Sequence, residues 1–110
     1  MADTMWFFQK WTTALPGVAM LSDPFEVSAY GTVSIRGYCA GFIAAGPLAL
    51  QVEGSADLGP WDPIGGVLNL AIAGGWVSVV VTNPPKYLRM TATSPGGSFT
   101  FFAMGVGREP

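Results

Sequence analysis

The chain is 110 residues long, the size of one ordinary domain, and roughly 65% of its unfolded surface can be buried on folding, enough for a core without staples. Only 11% of its residues are charged and its net charge is −2, with one cysteine and no histidine; a typical soluble domain carries about 25% charge. These values exclude an internal disulfide scaffold and any chemistry resting on histidine, and they leave no basic stripe for nucleic acid or an anionic membrane surface.

In chain order, Met5–Trp11 is densely aromatic and reads either as a first strand or as an arm within residues 1–24 lying on a neighbour. Pro16-Gly17 and Asp23-Pro24 mark turns. Phe25–Tyr30 alternates, with Phe25, Val27 and Ala29 on one face. Thr32–Tyr38 alternates more cleanly, Val33 and Ile35 against Thr32, Ser34, Arg36 and Tyr38, which is a strand with one wet face. Leu48–Gly54 is the clearest strand: Leu48, Leu50 and Val52 point one way, Ala49, Gln51 and Glu53 the other. A turn-rich loop, Gly54–Pro60, leads to Trp61. Lys86–Thr93 sets Leu88, Met90 and Ala92 against Arg89, Thr91 and Thr93. Pro95-Gly96-Gly97 turns the chain into a last strand, Ser98–Val106.

Two long runs lack charge. Pro63–Pro85 is long enough to span a membrane, but Gly65-Gly66 and Gly74-Gly75 cut it into pieces of about eight residues, and no Lys or Arg cluster flanks it. Two short strands, Val67–Ile72 and Trp76–Val81, joined as a hairpin through Ala73-Gly74-Gly75, account for it better. Gly37–Val52 is likewise interrupted at Gly41, Gly46 and Pro47. About eight short strands at intervals of roughly ten residues predict one all-β domain over residues 1–110, an antiparallel β-sandwich of jelly-roll-like type.

No catalytic equipment is visible. Cys39 lies between Tyr38 and Ala40 and reads as a small buried thiol. A zinc site lacks ligands and no phosphate-binding glycine loop is present, so no cofactor and no metal are expected. Glu53, Asp57 and Asp62 could together hold calcium, but their spacing is not that of an EF-hand, and aspartates in loops commonly bond their own backbone. The expectation is a structural or binding protein and not an enzyme. The start of the chain lacks the basic and apolar run of a signal peptide, which predicts synthesis in a cytoplasm.

The segment Val52-Glu-Gly-Ser-Ala-Asp-Leu-Gly-Pro-Trp61 is a strand, a polar turn and a returning tryptophan. With the closing Tyr87–Thr93 and Phe99-Thr100-Phe101 strands, it resembles short all-β virion proteins of tailed bacteriophages, the head decoration or cement type. That resemblance implies a virion protein made in a host cytoplasm, a homo-oligomer with a trimer favoured, and a major capsid or other shell protein as partner. Trp6, Phe7, Phe8 and Trp11 are the candidate anchors, and the low charge fits a surface covered by other subunits. The same segment resembles discoidin-like carbohydrate-binding sandwiches, for which Asp57, Trp61, Asp62, Trp76 and Tyr87 are the candidate sugar contacts. A small membrane-associated subunit is a third reading, resting on the two uncharged runs.

Overall fold

The structure, a computed structural model, describes residues 2–14, 19–44, 48–70, 75–94 and 97–109. Nine strands run through them: β1 (Ala2–Ala14), β2 (Ala19–Leu21), β3 (Phe25–Glu26), β4 (Thr32–Ala44), β5 (Leu48–Ser55), β6 (Asp62–Leu70), β7 (Trp76–Thr82), β8 (Tyr87–Thr93) and β9 (Gly97–Arg108). They form two antiparallel sheets, the first in the order β1-β9-β4-β7 and the second in the order β2-β8-β5-β6, with β3 also on β8. The chain is an all-β sandwich, as the spacing of its short apolar segments predicts. Among the described residues no helix is long and apolar enough to cross a membrane.

The pairing is nested. β5 pairs with β6, β4 with β7, β2 and β3 with β8, and β1 with β9. The chain is therefore one long antiparallel ribbon, folded back at β5–β6 and wound so that successive pairs fall alternately into the second and the first sheet.

Period-two alternation decides which side chains meet between the sheets. Val33, Ile35, Phe99 and Phe101 come from the first sheet, and Leu48, Leu50, Val52, Leu88, Met90 and Ala92 from the second; all are buried. The alternation expected over Thr32–Tyr38, Leu48–Gly54 and Tyr87–Thr93 is what the sheets use. Cys39 is buried among these residues. Gly107 sits under the ring of Tyr30, where a Cβ would lie 2.6 Å from the ring carbons, so only glycine lets the two elements close.

Several local expectations are corrected. Phe25–Tyr30 is not a six-residue strand: β3 ends at Glu26, and Ser28-Ala29 turns, with Ala29 exposed. Gly41 does not end a strand, because β4 runs on to Ala44 through a register shift between Cys39 and Gly41. β6 and β7 are not a hairpin; they lie in different sheets, on β5 and β4 respectively. The turns expected at Pro16-Gly17, Gly46-Pro47, Ala73-Gly74 and Pro95-Gly96 lie outside the described residues.

Residues 2–14 and 19–21 are strands of the sandwich. β1 is hydrogen-bonded to β9 from Ala2 to Ala14, and β2 pairs with β8. Two register shifts, at Trp6/Phe8 and Phe8/Thr12, change the facing of the side chains. Strict alternation would put Phe8 on the same side as Trp6. The first shift instead turns both Phe7 and Phe8 inward, where they are buried against Phe25 and Phe101 respectively.

Candidate interaction surface

The two outer faces of the sandwich differ. On the second sheet, Gln51, Glu53 and Ser55 of β5 stand opposite Thr91, Arg89 and Tyr87 of β8, a polar set. Arg89 donates from Nε to Glu53 Oε1 at 2.7 Å, and its guanidinium lies 4.3 Å from the centroid of the Trp61 ring. Trp61 is thus pinned over an ion pair on the outer face.

The Gly54–Pro60 loop is held by ordinary turn chemistry. Asp57 Oδ1 accepts the Gly59 N–H at 2.9 Å, and the Asp57 N–H donates to Ser55 Oγ at 3.3 Å. Leu58 is held at φ 64°, a left-handed conformation that costs a leucine energy. Glu53 is engaged by Arg89 and Asp57 by its own loop. Among the described residues no group of His, Cys, Asp or Glu could hold a metal ion.

The outer face of the first sheet is aromatic. Register pairs Phe102 with Tyr38 across β9–β4, and Tyr38 with Trp76 across β4–β7. Trp11 of β1 completes the row, with its ring 5.5 Å from Phe102 and 6.0 Å from Tyr38. The row crosses all four strands. Tyr38 and Trp76 are closest, at 4.5 Å between centroids.

Phe102 is the hub. Trp6, Trp11, Tyr38 and Trp76 all stand within 5.5–5.7 Å of its ring. It points away from the core, yet these neighbours leave it only 5% exposed. The outer face thus carries a second, small apolar cluster. Each aromatic pair adds about 0.5–1.5 kcal/mol beyond the area it buries. The flanking tryptophans stay open, Trp11 at 52% and Trp76 at 56%, so they combine fixed rings with free surface.

Beside the row, a shallow depression of ≈ 310 Å³ is lined by Ser34, Arg36, Trp76, Met104, Val106 and Arg108. Arg36 and Arg108 are exposed. The outward register positions of this sheet carry no carboxylate among the described residues, and the face combines aromatic and aliphatic side chains with serines, threonines and two arginines.

Of the four candidate anchors, Trp6 and Trp11 lie in this cluster, while Phe7 and Phe8 belong to the core and offer nothing to a neighbour. Of the five candidate sugar contacts, Trp76 lies on the first sheet, whereas Tyr87, Asp57, Trp61 and Asp62 lie on or beside the second. They do not form one site. Tyr38, Phe102 and Arg36 were missed as site residues. One signal is present in the sequence: in an unbulged strand, adjacent Phe101 and Phe102 point to opposite faces, so one of them faces outward.

No protein-family model matches the sequence, and no curated protein matches it. Solved structures share the fold. The PBSX exported protein XepA superposes with a TM-score of 0.75 at 13% identity over 98% of this chain. This chain spans only 37% of that protein's length. A Bacillus endospore appendage protein, from a family of disulfide-linked pili, gives a TM-score of 0.61 at 14% identity, covering 99% of this chain and 87% of that one. A chain of infectious bursal disease virus, Gx strain, gives 0.54 at 10% identity, covering 99% of this chain and 32% of that one. At these identities the likeness is one of fold.

Proposed function

We propose that the chain is a non-catalytic structural protein of a virion, decorating or cementing a shell through the aromatic face of its first sheet. The observation that carries this is the Trp11–Phe102–Tyr38–Trp76 row, closely packed, free of carboxylates and with its two tryptophans half-exposed. Such a face favours burial against another protein over exposure to water. At about 25 cal/mol per Å² of apolar area, two tryptophans contribute several kcal/mol before the costs of association. The nested pairing supports a jelly-roll reading, an architecture used by capsid proteins, and the fold shared with a virus chain and an appendage protein supports an assembly role. The partner is a shell protein, the copies of this chain contact one another as a homo-oligomer, and the location is the particle surface.

The test is co-sedimentation with purified particles of the virus that encodes the chain. The wild-type chain is expected in the particle fraction. The Trp11→Ser/Trp76→Ser double variant, shown to be folded by circular dichroism, is expected in the supernatant. Equal binding by both, or absence of the wild-type chain from particles, overturns the proposal. Quenching of tryptophan fluorescence by soluble oligosaccharides would move the function to sugar binding.

A further inference from the structure

Among the described residues the sandwich has four open sheet edges, and three are blunted. β2 and β3 are only three and two residues long, with Pro24 between them. β1 is broken by two register shifts and includes Asp3 and Lys10. β6 contains Asp62, Pro63 and Gly66, has Gly65 at φ 71°, and shifts register against β5. Short edges, charge, proline and bulges are the devices that keep sheet edges from pairing with other chains.

β7 has none of them. Its sequence, Trp-Val-Ser-Val-Val-Val-Thr, carries no charge, proline or glycine. Its register on β4 is unbroken from Tyr38↔Trp76 to Thr32↔Thr82. Among the described residues no backbone hydrogen bond reaches its outer edge. The direction of the free groups follows from one bond. The Cys39 N–H donates to the Gly75 carbonyl at 3.2 Å, so Gly75 faces β4. In an antiparallel ladder alternate residues face alternate sides. Val77, Val79 and Val81 therefore also bond toward β4, and Trp76, Ser78, Val80 and Thr82 present their N–H and C=O groups outward.

We infer that β7 pairs antiparallel with the β7 of a second copy of this chain, about a two-fold axis at Val79. In that register Trp76 stands opposite the second copy's Thr82, and Ser78 opposite its Val80. Both are pairs of outward-bonding residues, so every free N–H and C=O of the edge finds a partner. The two-fold makes the contact self-complementary and closed. Charge permits it. β7 brings none, and the two copies of Arg36, each on β4, stand three strand spacings apart, about 14 Å, beyond the Debye length of about 8 Å at physiological salt. The first sheets of the two copies become one eight-stranded sheet, with an aromatic row on each half of one face. This pairing does not rest on the virion reading, and it differs from the three-fold arrangement that the resemblance implies.

Light scattering behind a sizing column, on the purified full chain, tests it. The expected mass is twice the 11.5 kDa of the chain. Val80→Lys places a charge on a side chain that is 60% exposed, and Ser78→Pro removes an outward N–H at an edge position that tolerates proline. Each is expected to return the mass to one chain with unchanged circular dichroism, while Val67→Lys on β6 leaves the dimer intact. A monomeric wild type, a trimer, or a dimer that neither β7 variant weakens would overturn the inference.

Discussion

Replacing Phe102 by alanine is the sharpest probe of the outer aromatic cluster. The ring is as buried as many core residues, but only side chains cover it, and those can partly collapse into the gap. Phe→Ala in a core costs about 3–5 kcal/mol. Partial collapse places Phe102→Ala at the low end, about 3 kcal/mol, which includes the loss of four ring contacts. With an unfolding entropy near 2.1 cal/mol/K per residue, that loss lowers Tm by roughly 13 °C. Urea unfolding followed by circular dichroism gives the free energy. Tryptophan emission should shift to the red in the folded variant, because Trp11 and Trp76 lose the ring they rest on. In a double-mutant cycle, Trp11→Ala should cost less in the Phe102→Ala background, by about 1 kcal/mol. A loss below about 1 kcal/mol with unchanged emission would show that the rings do not act as a packed cluster.

Two further predictions concern the second sheet. Glu53 and Arg89 meet at 2.7 Å with less than a quarter of either side chain exposed, so a Glu53→Gln/Arg89→Met cycle should give a coupling of about 1 kcal/mol, measured by denaturant unfolding. Ser22 Oγ accepts the Met90 N–H at 2.8 Å in a buried setting. Ser22→Ala should therefore cost about 1–3 kcal/mol, and hydrogen exchange at the Met90 amide should speed up by tenfold or more.

The sequence shows most where burial is local and periodic. Leu48, Leu50 and Val52 reveal their own facing, as do Leu88, Met90 and Ala92, because one strand and one core suffice to sort them. It shows less where a bulge intervenes. Phe7 and Phe8 are adjacent and both buried, and no local pattern announces the register shift that turns them the same way. It shows least where pairing is long-range. Trp11, Tyr38, Trp76 and Phe102 are far apart in the chain, and only the order β1-β9-β4-β7 sets them in a row. The same limit explains β6 and β7. β6 pairs with the neighbouring β5 and β7 with the more distant β4, and that pairing sets the sheet each joins.

The order of the strands also fixes when this chain can fold. β9 lies between β1 and β4, and β8 between β2 and β5, although both are made after the strands they separate. During synthesis at about 5–20 residues per second, neither sheet has both of its inner strands until β8 and β9 have emerged. A ribosome-bound prefix holds only the β5–β6 and β4–β7 pairs, with the Trp76 end of the aromatic row uncovered. Folding is therefore a closing event that needs β8 and β9. A chain truncated before Gly97 leaves β1 without its partner and exposes Phe7 and Phe8, a form that cellular proteases would remove before it reached any assembly.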